Sequence, residues 1–247
     1  MDRIAIVSDI HGNLPAFHAV LEDIRLRGVQ RIYCLGDLVG KGPHPAEAVD
    51  LTRARCEVVL QGNWDDFIGK PTDQYELVWH QERLGDERIR YLSNLPFSID
   101  FWMSGKYVRL LHASPVSVYT RIQPWDPVER RMMMFEDSEL TGPTNHAQRP
   151  DVVGYGDVHN AYLQHLSGKM LFNAGSVGNP LEVAQASYAI LEGVYGSREP
   201  MPFSVTLLRV PYNIEEAIQL AAAEKMPLLE PYARELRTAR YRGLSAL

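Results

Sequence analysis

Near the start of this chain, three short apolar runs each stop abruptly on polar residues. Residues 4–7 run into Ser8-Asp9-Ile10-His11-Gly12-Asn13, residues 32–35 into Gly36-Asp37, and residues 57–60 into Gly62-Asn63. Between the first two, Phe17, Val20, Leu21 and Ile24 recur at helical spacing, with Asn13 as N-cap, Pro15 in the first turn and Gly28 as the stop. Short branched apolar runs suit strands covered on both faces. Strand, helix, strand over this length predicts a right-handed parallel crossover, and a short helix over 45–53 predicts a second one. The chain is thereby directed to an α/β fold whose polar strand ends open on one edge.

Helical stretches are expected at 73–84 and 86–94, halted by Pro96, after which strands take over. Runs 97–103 and 107–111 flank Ser104-Gly105-Lys106, and runs 162–166 and 170–172 flank Ser167-Gly168-Lys169, which are hairpin signals. Val152-Val153, 187–191 and 203–210 supply further strands, and Asn213 caps a helix to about Glu224. An Arg-rich amphipathic helix follows, and its Arg234, Arg237, Arg240 and Arg242 read as a solvated face or an oligomer contact. The least regular stretch lies between Pro115 and Pro150, with one helix expected near 127–139 and Met132-Met133-Met134 filling core gaps. With no repeat or low-complexity linker, a single domain over 1–247 is expected, with an insertion at about 115–150 and C-terminal helices at about 213–242.

Hydrophobic residues make up 45% of the 247, enough for a sizeable core. The net charge of −6 opposes a stable nucleic-acid partner, which needs a basic surface. It leaves phosphate chemistry open, because bound cations can dominate the local field. Cys34 and Cys56 sit in apolar surroundings and read as reduced, buried thiols rather than a disulfide staple. Neither a signal-peptide core nor an apolar span of ~20 residues is present, so a soluble cytoplasmic protein is expected, off the membrane, as monomer or homo-oligomer.

Later strand ends continue the early pattern: His112 follows 108–111, and Asp157 and His159 follow Val152-Val153. With Asp9, His11, Asp37 and Asn63, seven oxygen and nitrogen donors stand immediately after strands, where ligands of open α/β sheets bind. Taken singly, an Asp-x-His or Gly-Asp is an ordinary turn and a lone histidine is usually structural. Recurrence at one kind of position favours a metal centre, with donors enough for two ions sharing one carboxylate.

These motifs resemble the calcineurin-like metallophosphoesterases: Asp9-Ile10-His11-Gly12-Asn13, Gly36-Asp37-Leu38-Val39-Gly40, Gly62-Asn63-Trp64-Asp65, His112-Ala113-Ser114, Gly156-Asp157-Val158-His159 and Asn173-Ala174-Gly175-Ser176. The resemblance spans most of the chain. It implies a four-layer αββα sandwich of two mixed β-sheets flanked by helices, two divalent metal ions, and hydrolysis of a small phosphoester substrate by a bridging hydroxide. By position, Asp9, His11 and His159 would hold the first ion and Asn63, His112 and Asp157 the second, with Asp37 bridging. Asp37, Asn63 and His112 are the residues it places in catalysis, and Asp65 would orient backbone or a ligand. Asn13, Lys41, Ser114 and Ser176 lie on loops expected to face the crevice, with His44 as a candidate substrate contact and substitute acid. His18, His80, His146 and His165 lack ligand spacing and read as structural or exposed.

Two positions depart from the family pattern. Trp64 stands where a histidine commonly protonates the leaving group, and an indole N–H is no acid at useful pH. Phosphodiesters or activated esters should therefore be preferred over alkyl monoesters, as in broad-specificity bacterial phosphodiesterases that lack this histidine. Asp157 replaces a histidine and adds negative charge around the second ion. Hard oxygen donors favour Mn²⁺, with Mg²⁺, Fe or Zn²⁺ as alternatives, and the added charge favours mildly alkaline activity. The rivals are a nucleotide or protein phosphatase, whose members usually keep the histidine, and a non-catalytic scaffold like the retromer subunit of this fold. Retention of the ligand-type side chains favours catalysis.

Overall fold

A computed structural model of the chain describes residues 1–142 and 148–241. In the first of two mixed sheets, β1 (Asp2–Val7), β2 (Arg31–Cys34) and β3 (Val58–Val59) run parallel. Strands β9 (Ala186–Gly193) and β10 (Ser204–Val210) extend it antiparallel, giving the order β10-β9-β1-β2-β3. The second sheet has the order β4-β5-β6-β8-β7, from β4 (Ser98–Met103), β5 (Lys106–Leu111), β6 (Val152–Tyr155), β7 (Tyr162–Leu166) and β8 (Lys169–Asn173). Its centre, β5, β6 and β8, is parallel, and two hairpins close its edges.

The alternation along β1 decides the layering. Ile4 and Ile6 point between the sheets, where they meet Tyr33, Leu35, Val108, Leu110 and Phe172. Ala5 and Val7 point the other way, against Phe17, Val20 and Ile24 of α1 (Leu14–Leu26). Full burial of side chains such as Phe17 or Ile24 contributes roughly 1.5–3 kcal/mol each. Helices α2 (Pro45–Arg55) and α4 (Tyr75–Ser93) complete that outer layer. The two helical stretches expected around residue 85 form one element with a break, where Gly85 sits at φ 68°, ψ 165°.

The layer outside the second sheet is thinner. There Ile122, Met134 and Phe135 cover Leu111, Val153, Tyr155 and Leu171. The helix expected near 127–139 is only α5 (Val128–Met132), followed by a 3₁₀ turn, Met133–Phe135. Of the methionine run, Met134 is buried and Met133 is exposed. A short helix not anticipated from the sequence, α3 (Asn63–Phe67), starts directly after β3. Helices α6 (Ile214–Ala223) and α7 (Leu229–Thr238) pack on Trp79 of α4 through Ile218, Ala221, Tyr232 and Leu236. Arg237 pairs with Glu215, while His146 and Arg242 fall outside the described residues. Cys34 is buried, Cys56 is partly exposed, and both are unbridged. Among the described residues no helix is long and apolar enough to cross a membrane.

One buried cation ties the long excursion after β5 to the sheet. Arg109 makes a two-pronged contact with Asp100 (2.9 and 2.7 Å), donates to the Glu136 carbonyl at 3.0 Å and lies 3.0 Å from Asp137. Its side chain is wholly buried, while the carboxylates it joins keep some solvent contact that softens the loss of their partner. Arg109→Met is expected to lower unfolding free energy by about 1.5–3 kcal/mol in urea titrations. A loss below about 1 kcal/mol would show that the clamp is not holding the excursion.

Candidate metal centre

The strand exits share one backbone habit. Asp9 (φ 55°), His11 (49°), Asp37 (54°), Lys41 (62°), Asp157 (62°) and His159 (58°) all adopt the left-handed conformation. Few non-glycine residues enter it, and Asp and His are among those that tolerate it. The turns are fixed by buried hydrogen bonds. Asp65, in α3, accepts from the backbone N–H groups of Asp37 (2.7 Å), Leu38 (3.0 Å) and Gly62 (2.9 Å). Gly62 has to be glycine, since a Cβ there would lie 2.2 Å from the Asp37 carboxylate. The Ser176 hydroxyl donates to the Asp9 carbonyl at 2.8 Å.

These turns gather Asp9, His11, Asp37 and His159, whose donor atoms lie within 4.8 Å of one another and are all buried. Each histidine is oriented from behind. Nδ1 of His11 donates to Val39 O (2.8 Å), that of His112 to Leu35 O (2.9 Å), and that of His159 to Asn179 O (2.6 Å). A carbonyl can only accept, so each Nδ1 carries a proton, and in the neutral ring Nε2 is left with the lone pair that a metal would take. His11 Nε2 and His159 Nε2 face each other at 3.1 Å. Asp9 Oδ1 lies 3.2 Å from His159 Nε2 and, though buried, makes no hydrogen bond. Converging lone pairs of this kind call for a cation.

Asp37 reaches both ways. Its Oδ2 is 3.6 Å from His11 Nε2 and its Oδ1 is 3.5 Å from His112 Nε2, while Oδ1 also accepts from the Trp64 N–H at 2.8 Å. Asn63 Oδ1 lies 3.1 Å from His112 Nε2. Burial pushes the Asp37 carboxyl well up, helped by Asp9 and Asp65 and opposed by His112. For His112, burial works downward, but Asp37, Asp9, Asp157 and Asp65 together raise it to about 9.

Asp157 behaves differently from the other donors. Both its oxygens accept from Arg121, at 3.0 and 3.0 Å, while its backbone N–H donates to Asp9 Oδ2 at 3.1 Å. Arg121 comes from the irregular stretch after β5 and escaped the sequence reading; the one signal for it was an added carboxylate that needed a partner.

The remaining candidates divide. Lys41 reaches the rim, its Nζ 2.7 Å from Asn179 Oδ1. Asn13 caps α1 through Ala16 N–H and donates to Gly178 O, so its amide is used by the fold. The Ser114 hydroxyl is engaged with the Ser117 backbone. His44 lines a different cavity, beside His18 and Tyr212. His18 and His165 are exposed and His80 is buried. Beside the donors opens a cavity of about 450 Å³, bordered by Asp37, Asn63 and His159, by the cations Lys41 and Arg121, and by Trp64.

Residues 3–194 match the calcineurin-like phosphoesterase superfamily domain. The chain is 30% identical over 254 residues to the uncharacterized protein MJ0912 of Methanocaldococcus jannaschii, covering 91% of this chain and 93% of that one. It is 24% identical over 196 residues to phosphodiesterase YfcE of Escherichia coli, 78% of this chain and 88% of the other. The crystal structure of a metallophosphoesterase from Sphaerobacter thermophilus superposes with a TM-score of 0.75 at 25% identity, over 96% of this chain and 99% of that chain.

His80, on the wall of the same cavity, is 4% exposed and its Nδ1 has no hydrogen-bond partner. Burial, with Arg83 nearby, pushes it down to about 4. Neutral when folded, it binds a proton more readily once unfolded. Its contribution to stability is therefore present above 6.5 and is lost as pH falls toward 4. Between pH 7 and 4.5, metal-free parent protein is expected to lose up to about 3 kcal/mol more unfolding free energy than His80→Leu, measured in urea. Parallel pH dependences would contradict this.

Proposed function

The chain belongs to the calcineurin-like phosphoesterase superfamily, and from that premise we propose that it hydrolyses phosphodiesters and activated phosphate esters at a centre of two divalent ions. The observation that carries this reading is the buried convergence of Asp9, His11, Asp37 and His159. When bound, the ions supply Lewis acidity at the phosphoryl oxygens and a water nucleophile near neutral pH. Asp9, His11 and His159 would hold one ion with Asp37, and Asp37 would share the other with Asn63 and His112. The phosphodiesterase relative supports diester over monoester. So does Trp64, which leaves no proton donor where the leaving group departs.

Asp157 holds Arg121 on the lining of the cavity, where the guanidinium would meet a non-bridging phosphate oxygen of the bound ester. It contributes to the second ion's surroundings with its charge already offset. The alkaline shift expected from an extra carboxylate therefore shrinks, and manganese rests on the hardness of the oxygen donors alone.

Turnover of bis(p-nitrophenyl) phosphate, p-nitrophenyl phosphate and an alkyl monoester with Mn²⁺, Mg²⁺ and Zn²⁺ tests this, with Asp37→Asn as blank. The diester with Mn²⁺ is expected to be fastest and Asp37→Asn inactive; no bound metal and no diester turnover would refute it. Trp64→His is expected to raise alkyl monoester rates, by up to about 10²-fold. Arg121→Met is expected to raise the diester KM about tenfold or more, the worth of one charge-assisted hydrogen bond.

A further inference from the structure

Resting on that hydrolase reading, we propose that the cavity beside the metal centre binds a nucleobase, so that the substrate is a nucleotide phosphodiester. The wall nearest the centre is aromatic. Trp64 follows Asn63 directly, and its ring lies 6.0 Å from that of His11 and 4.7 Å from Phe67. Gly40 makes room for it, because a Cβ there would come within 2.2 Å of the indole. Tyr241 supplies a second ring, with the Lys41 ammonium 5.9 Å from its centroid. The volume, about 450 Å³, suits a nucleoside.

Polar groups on the lining narrow the choice. Arg121 and Lys41 are cations suited to a phosphate, while Gln74 and Glu76 offer an amide and a carboxylate. Glu76 accepts from the amino or imino N–H groups on a base edge and repels a second phosphate, so the group that enters is uncharged. Gln74 both donates and accepts, as base edges require. An acyl chain would engage neither of these groups, and a bare sugar would leave the rings without a stacking partner. Flat rings fill such a wall without sequence-like selectivity, since every base has a π-face.

The test uses the Mn²⁺-loaded protein and calorimetric binding of adenosine 5′-monophosphate, ribose 5-phosphate, hexyl phosphate and inorganic phosphate. Adenosine 5′-monophosphate is expected to bind about tenfold tighter than ribose 5-phosphate, or better. Trp64→Leu, and Tyr241→Ala at an exposed position that does not threaten folding, are expected to bring that ratio toward one. Equal binding of the nucleotide and the sugar phosphate, or hexyl phosphate matching the nucleotide, overturns the nucleobase while inorganic phosphate binding and diester turnover leave hydrolysis standing. Absence of phosphate binding and diester turnover in the parent removes both readings together.

Discussion

The carboxylate of Asp65 meets no substrate, yet the centre is built on it. It gathers three backbone N–H groups, from the turn after β2 and from the start of α3, within 3.0 Å. Those two segments carry Asp37 and Asn63. Without the carboxylate, three buried amides would lack partners, each costing roughly 1–3 kcal/mol. The junction therefore has one low-energy geometry, and in it Asp37 stands between His11 and His112. Burial alone pushes the Asp65 carboxyl up, and the backbone N–H groups of Gly62, Leu38 and Asp37 work against that.

What could be read directly was whatever depends on period. Apolar alternation and helical spacing located the strands, and at the strand ends stand Asp9, His11, Asp37 and His159, which lie together. Elements too short to show a period escaped, as the five-residue α3 did. Asn13 misled because an N-cap and a crevice residue occupy the same place after a strand, and its amide went to the cap. Ser114 and His44 sit on the expected loops but face other neighbours. Arg121 was foreshadowed only by the added carboxylate of Asp157, since no spacing links an irregular loop to a residue 36 positions later. Histidine orientation was likewise hidden, because it depends on backbone carbonyls brought in by the fold.

Asp157 and Trp64, the two departures from the family pattern, sit in different surroundings. Asp157 is compensated, its charge met by a guanidinium that stays ionised at any ordinary pH. Trp64 gives the cavity an apolar face beside Asn63. Left-handed residues at the strand exits add a further constraint. Each holds strain of order 1–3 kcal/mol that the surrounding hydrogen bonds must overcome. Branched apolar substitutions are thereby excluded at those positions on backbone grounds, apart from any role in binding metal.

The cavity wall beyond the donors has a second origin in the chain. Pro227, Leu228 and Tyr241 lie past residue 194, where the match to the superfamily domain ends. The cavity wall is thus drawn from two stretches of the chain, Trp64, Gln74 and Glu76 from within the matched domain and these three from beyond it, which meet only in space. The far stretch is anchored as firmly as the near one, through β10 in the first sheet and through Tyr232 and Leu236 against Trp79, so this part of the wall is held by the same packing that holds the fold together.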